Sequence, residues 1–466
     1  MLKKPIINYM YKINEYRRVI ILACFLFFCV QILGNMFTIA LPPISRTFSL
    51  TVDLVNSVNL VYLALVISLV VPFGKIISKY GVERFLKIGI SLGVLSLFVS
   101  GVAPVFIIFL IGMLVQGIST ALICCSIILA LSSQLSGRDF GRSMGIVLSA
   151  GYVGLAFSYL FTGFIAYYLS WRILFIVVMI FYITALFFVF KLNVEWSSKS
   201  DLKINYKEII VYFVFMITFV ITMSNLDYWG IFIFPVPLFL LIYFIWLERN
   251  SESPIYNFAL LRNYNYLVGN YASFVVFFTT FIVLYILNFY LQYVVDYDIH
   301  VTGLFLLPTA IMMIVVSYLV GRFTLKYDLR IISAIGCVIL ILASYIIFKM
   351  DFIPVYLIFI GCIILGVGEG FFLASNNRYV VQSTDNKYFI DSSTFLFTNR
   401  ELGKAISLSI YFVIAGLAFG DWNYYYNVVL NYVMTGEIMM EICIALLCSV
   451  IVLLFVLWFA DYCSES

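Results

Sequence analysis

Val71 to Gly89 reads Val-Pro-Phe-Gly-Lys-Ile-Ile-Ser-Lys-Tyr-Gly-Val-Glu-Arg-Phe-Leu-Lys-Ile-Gly: the end of one apolar run, a tight basic turn and the start of the next. A turn this short joins two helices on one side of a membrane. Gly74 and Gly81 let the chain turn and approach closely, and Lys75, Lys79, Arg84 and Lys87 mark that side as the cytoplasm. The turn recurs at Gly321 to Tyr327, where Arg322 and Lys326 carry the charge. Gly74 and Gly321, Lys79 and Lys326, Tyr80 and Tyr327, and Gly89 and Gly336 all stand 247 residues apart. Such weak internal symmetry is expected of transporters built from repeated helix bundles.

Composition agrees with a chain made for lipid. Hydrophobic residues are 64% and charged residues 11%, against about 45–50% and about 25% in water-soluble domains. The fold class expected is therefore all-α and polytopic. The net charge of +4 is spread through short loops rather than gathered on an arm or stripe, which argues against a nucleic-acid partner. Of the nine cysteines all but Cys463 fall inside apolar runs, with no zinc or disulfide spacing. His300 is the lone histidine, which excludes a His-based metal site or triad. Neither metal nor cofactor is expected.

Lys3, Lys4, Lys12, Arg17 and Arg18 precede an apolar run from Val19 to Leu41, too long for a signal-peptide core and read as an uncleaved first span. Runs of bilayer-crossing length follow near 54–77, 86–103, 105–131, 143–166, 172–192, 209–226, 229–247, 267–292, 302–322, 331–349, 354–375, 394–418 and 438–460, making fourteen. With both termini cytoplasmic, all of the 27 Lys and Arg except Arg46, Arg172 and Lys349 fall on the inner side. One missed helix would scatter that charge. The helices group as 6 + 2 + 6: residues 1–193 form one bundle, 194–264 hold a polar linker and two inserted helices, and 265–466 form the second bundle. The loop from Gly420 to Gly436, with Trp422, Tyr424, Tyr425 and Tyr426, reads as an interfacial aromatic anchor.

Eight stretches in order then resemble the fourteen-helix drug:proton antiporter branch of the major facilitator superfamily. They are Ala40-Leu41-Pro42, the Gly74 to Arg84 turn, Gln116-Gly117, Ser170-Trp171-Arg172, Pro254 to Asn263, Tyr290-Leu291-Gln292, Gly303 to Pro308 and Arg400-Glu401-Leu402-Gly403. The resemblance implies a monomeric multidrug exporter of the cell membrane, working on a small-molecule substrate, exchanging protons and surrounded by lipid bilayer. Several positions depart from the family pattern. Leu33 stands where helix 1 usually has Asp, Ser78 where the turn usually has Asp, Val82 where Arg is common, and Met113 where helix 4 usually has Arg. Ser158 to Gly163 replaces the usual Gly-Pro antiporter signature.

An ionisable group inside a span is expensive and therefore a functional candidate. Glu369, in Gly366-Val367-Gly368-Glu369-Gly370, is the carboxylate deepest in a span, and helix 13 carries Arg400, Glu401 and Lys404. Glu369 and Lys404 both lie roughly 10–16 Å from the cytoplasmic ends at about 1.5 Å per residue. A partner for Glu369 in Lys404 or Arg400 is thus expected, serving either helix packing or coupling. Gln31, Asn35 and Thr38 form one polar stripe on helix 1. Gln116, Ser119 and Thr120 of helix 4 and Asn288 and Gln292 of helix 9 are its expected co-liners of a central cavity, the alternative for each being an interhelical hydrogen bond.

The functional expectation is a secondary transporter that works by alternating access and exports small organic compounds. An uncoupled facilitator and a transporter-fold sensor without turnover are the alternatives. A membrane enzyme ranks low, because no aspartate-rich metal motif, HExxH pair or GxSxG elbow is present.

Overall fold

The computed structural model describes every residue except 1–2, 51, 136, 193–203, 225–230, 252–253, 257, 325, 350–353, 386–387, 420–424 and 466. Most of the polar linker, the side chain of Arg322 and the side chains of Trp422, Tyr424, Tyr425 and Tyr426 lie outside the described residues.

In hydrocarbon, a backbone must satisfy its own hydrogen bonds, and a chain this apolar does so as helices. Fourteen form: α1 (Lys3–Phe48), α2 (Val52–Tyr80), α3 (Val82–Val102), α4 (Phe106–Gln134), α5 (Gly137–Tyr168), α6 (Trp171–Leu192), α7 (Tyr206–Ser224), α8 (Pro235–Arg249), α9 (Tyr264–Phe289), α10 (Ile299–Phe323), α11 (Leu329–Phe348), α12 (Val355–Gln382), α13 (Phe389–Phe419) and α14 (Tyr425–Glu465). Among the described residues, twelve are long and apolar enough to cross a membrane by length and composition alone. The other two are α8 and α13. With 15 residues α8 reaches only about 22 Å, and the turn Ile231–Ile233 ahead of it lengthens the path. In α13 the described side chains, 391–415, hold Arg400, Glu401 and Lys404 too close together to leave an apolar stretch of bilayer-crossing length.

The pairing of helices repeats with a shift of eight. Among the first six, α1 packs on α5, α2 and α3 on α4, and α3 on α6; among the last six, α9 packs on α13, α10 and α11 on α12, and α11 on α14. The most extensive crossings between the groups are α5 with α10 and α2 with α13, and they are each other's counterparts under the same shift. The repeat is also visible in backbone contact. A Cβ on Gly117 would meet the Tyr62 carbonyl at 3.2 Å, and one on Gly366 would collide with the Thr309 carbonyl. Tyr62 and Thr309 keep the offset of 247, whereas Gly117 and Gly366 stand 249 apart, as do the first residues of α4 and α12. From the start of α11 to the start of α12 is two residues longer than from the start of α3 to the start of α4, which is why the match in sequence fades after α11.

The turns carrying Lys75, Lys79, Arg84 and Lys87, and Lys326, lie at one end of the bundle, here the basic end. At the opposite end the two groups are clamped. Pro42 and Pro43 sit inside α1, and proline has no N–H for the carbonyl four residues earlier. The carbonyls of Thr38 and Ile39 are thereby left over. Asn288 Nδ2 donates to Thr38 O at 3.2 Å and Gln292 Nε2 to Ile39 O at 3.4 Å, while Gln292 Nε2 also donates to Asn288 Oδ1 at 2.9 Å. Gln292 reaches its partner from a π-helical turn, Tyr290–Val294, that continues α9. Beside this clamp, Gly303 of α10 lies against the Tyr159 carbonyl of α5, an approach that any side chain would block.

Two outcomes are expected. Gly366→Ala should destabilise the purified protein by about 1–3 kcal/mol, read as a lower midpoint of thermal unfolding in detergent, while Gly145→Ala, where a Cβ meets nothing within 4 Å, leaves the midpoint unchanged. Replacing both Asn288 and Gln292 by Ala removes two interhelical bonds of about 0.6 kcal/mol each, a shift of roughly sevenfold toward the arrangement open at that end. Labelling of Leu284→Cys by a membrane-impermeant thiol reagent, applied opposite the basic turns, should rise accordingly. With Pro42 and Pro43 also changed to Ala, the helix satisfies its own carbonyls and the increment should shrink.

Candidate functional site

The cavity is built from helical stripes. Phe27, Gln31 and Asn35 recur every four residues on α1, and Met144, Leu148, Tyr152, Leu155 and Tyr159 follow the helical repeat on α5. From the other group come Phe277, Thr280, Phe281 and Leu284 of α9, Met313 of α10, and Ser393, Leu396, Phe397, Arg400, Glu401 and Lys404 of α13. Cys124, Ile127 and Ile128 of α4 and Glu369, Asn377 and Val381 of α12 complete the wall. Val381 and Ser393 lie within four residues of the basic ends of α12 and α13, whereas Asn35, Tyr159 and Leu284 sit toward the clamp. The cavity therefore extends toward the basic end and stops short of the clamp. Six aromatic rings, Phe27, Tyr152, Tyr159, Phe277, Phe281 and Phe397, give it apolar faces to receive flat or amphipathic molecules.

Its polar centre holds four charges that sum to zero. Lys404 Nζ donates to Glu401 Oε1 at 2.8 Å, three residues away on the same helix. Arg400, 7% exposed, donates through Nη2 to Asn377 Oδ1, while its Nε is buried without a partner. The guanidinium carbon stands 5.1 Å and Lys404 Nζ 5.5 Å from the ring centre of Phe277, within cation–π range. Glu369 is 6% exposed and faces this group across the cavity. Among the described residues it has neither a hydrogen bond nor a cation within 4.0 Å. The expected ion pair of Glu369 with Lys404 or Arg400 is thus not formed: Lys404 is taken by Glu401 on its own helix, and Arg400 reaches α12 at Asn377, two turns nearer the basic end than Glu369.

The other candidates divide. Gln31 and Asn35 line the cavity, Asn35 also returning a bond to Gln31 O at 2.8 Å. Thr38 belongs to the clamp with Asn288 and Gln292, which close the passage instead of lining the cavity. Gln116, Ser119 and Thr120 are correspondingly corrected: they are buried among α2, α3, α4 and α6. Ser96 Oγ donates to Gln116 Oε1, Gln116 Nε2 to Tyr182 Oη at 3.4 Å, Ser119 Oγ to Gly89 O at 2.8 Å, and Tyr62 Oη to Thr120 Oγ1 at 3.2 Å. These bonds hold the first six helices together. Sequence reasoning passed over Asn377 and the proline pair; a polar doublet, Asn376-Asn377, inside an otherwise apolar helix was the available signal for the first.

In the basic turn, Gly81 alone takes the left-handed backbone, φ +103°. Lys75 Nζ lies 3.8 Å from Asp391 Oδ1 of α13, tying the α2–α13 crossing at the basic end. Ser78 Oγ, in place of the usual Asp, donates to Gly74 O at 2.7 Å. Lys79 rests over Tyr80, 5.7 Å from its ring centre, and Arg84 is exposed. In the counterpart turn, Gly321 and Lys326 are exposed and Arg378 Nη1 donates to Thr324 O at 3.1 Å.

Comparison with known proteins agrees with this architecture. The chain is 21% identical to the riboflavin transporter RibZ of Clostridioides difficile over 84% of its length and 87% of the relative's. To the quinolone resistance protein NorB of Staphylococcus aureus it is 27% identical, over 68% of this chain and 69% of that one. The multidrug resistance protein Stp of Mycobacterium tuberculosis is 22% identical over 86% and 75%. Among solved structures, the human organic anion transporter MFSD10 superposes with a TM-score of 0.65 at 14% identity, covering 94% of this chain and 99% of that one. A POT family transporter does so with 0.69 at 13%, covering 93% and 96%. The Major Facilitator Superfamily profile matches residues 23–420, and the chain, a multi-pass membrane protein, belongs to that superfamily.

Proposed function

We propose that the protein is a secondary transporter of the fourteen-helix drug:proton antiporter kind, exporting amphipathic aromatic compounds across the cell membrane by alternating access. One observation carries the reading: a cavity between two groups of six helices that extends toward the basic end and is clamped at the other. On this reading residues 1–193 and 265–466 are the two rocking bundles, residues 194–264 hold the linker and the inserted pair, and the basic end faces the cytoplasm. The relatives named for quinolone and multidrug resistance support the substrate class. Glu369 takes up the proton, since it is the cavity carboxylate without a fixed partner, and Arg400 and Lys404 set the field in which it does so. The protein works as a monomer.

An uncoupled facilitator is the second reading, favoured by Leu33 and Met113. Both are buried and apolar where the family commonly carries charge, so those two positions supply no titrating group. The two readings part in cells lacking their own pumps. If coupled, the chain should lower accumulation of a fluorescent aromatic cation, a protonophore should abolish the effect, and Glu369→Gln should remove its dependence on the proton gradient. Efflux by Glu369→Gln with unchanged rate and pH dependence would exclude that residue, and insensitivity to the protonophore would favour the facilitator.

A further inference from the structure

The inserted helices carry two buried carboxyl groups that the central cavity does not use. Glu208, in the first turn of α7, is fully buried, and Glu248, at the end of α8, is 2% exposed. Each has one oxygen bonded: Asn205 Nδ2 donates to Glu208 Oε1 at 2.6 Å, and the Tyr256 backbone N–H to Glu248 Oε1 at 2.5 Å. The second oxygen of each, Oε2, is buried without a partner. Neither carboxyl has a cation within 4.0 Å among the described residues, and Tyr212, one turn from Glu208, packs on Phe244, one turn from Glu248, with ring centres 5.4 Å apart, which brings the two carboxyls to the same end of the inserted pair. A buried carboxylate with an orphan oxygen is costly, and a second one beside it more so.

Tyr212 of α7, Tyr256 of the segment before α9 and Lys75 of α2 surround Glu248; behind them Tyr256 Oη meets Tyr266 Oη of α9 at 3.0 Å, and Lys75 meets Asp391 of α13. Lys75 is the cation whose field reaches Glu248, and it already stands 3.8 Å from Asp391. An apolar seam of Val71, Tyr212, Phe244 and Ile255 presses the inserted pair on α2 directly beside these groups, and the Tyr80 and Tyr206 hydroxyls meet at 2.9 Å.

We propose that Glu248 is a proton-binding site on the inserted pair, with Glu208 beside it at the same end: Glu248 holds a proton while α7 and α8 are docked on α2, and its release to water at the basic end draws Lys75 from Asp391 toward Glu248. The site links the inserted helices to the α2–α13 crossing. Burial pushes the Glu248 carboxyl up from 4.5 to about 7, the Tyr256 amide pulling it back and Glu208 adding to the rise. The sign follows: a carboxyl raised in the docked state favours docking while protonated, and that contribution fades as pH rises through about 7. Between pH 6 and pH 8 its protonated fraction falls roughly tenfold.

Docking can be read without a substrate, so this test stands apart from the transporter reading on which its functional meaning rests. Tyr80→Cys and Tyr206→Cys are introduced together into the full-length protein with the native exposed Cys448 and the terminal Cys463 replaced, and joined by a short bifunctional thiol reagent. Cross-linking corrected for single-site thiol reactivity should fall at least twofold from pH 6 to pH 8, and Glu248→Gln should hold it at the pH 6 level throughout. Glu208→Gln, the second variant should the first fail to elute as a single species, removes the neighbouring carboxylate and should move the fall to lower pH without abolishing it, whereas Glu369→Gln should leave the profile intact. A flat profile in the parent protein, an undiminished pH dependence in Glu248→Gln, or an unmoved profile in Glu208→Gln overturns the proposal.

Discussion

Inside a bilayer no water waits to take up a carbonyl that has lost its helical N–H, so the proline pair in α1 sets a demand that another part of the protein must meet. The partners come from across the molecule: Asn288 and Gln292 of α9 reach the carbonyls of Thr38 and Ile39. Because donors and acceptors belong to different groups of six, the same bonds that satisfy α1 also shut one end of the passage between the groups. Everything placed behind that seam, from Asn35 toward the basic end, becomes a one-sided cavity. Bonds of this kind are weak enough to exchange for water, which suits a closure that has to open.

The charges in that cavity follow from the same scarcity of water. Lys404 is answered by Glu401 on its own helix, and Arg400 by the amide of Asn377 on α12, two turns nearer the basic end than Glu369. Glu369 is left facing them. A carboxyl held in this way can respond to a proton or to a charged solute, whereas one locked in a direct ion pair would serve packing. The inserted pair repeats the theme at the basic end, where Glu208 and Glu248 are sealed by an apolar seam and Lys75 is engaged with Asp391.

Much of the architecture was legible in the chain because membrane insertion leaves a strong record: apolar runs of bilayer length, basic turns sorted to one side, and a repeat of 247 residues between the turns. Helix α8, only 15 residues long, shows where that record thins. The repeat thinned too, since two extra residues before α12 moved its glycines from an offset of 247 to 249. The polar residues were harder to read. Gln31, Asn35 and the Gln116 set are alike in chemistry and depth, yet the first two reach the cavity and the others knit α2, α3, α4 and α6 together.

By itself, then, the order of residues determined the helical class, the number of helices and which turns share one end, because each depends on hydropathy and charge along the chain. Which way a side chain faces depends on how each helix is rotated against its neighbours, and rotation is settled by contacts between residues far apart, such as Gly366 against Thr309 or Gly303 against Tyr159. Only the tertiary structure could therefore set Glu369 apart from Lys404, give Lys75 to Asp391, and bring two amides of α9 to the two carbonyls that Pro42 and Pro43 leave unbonded.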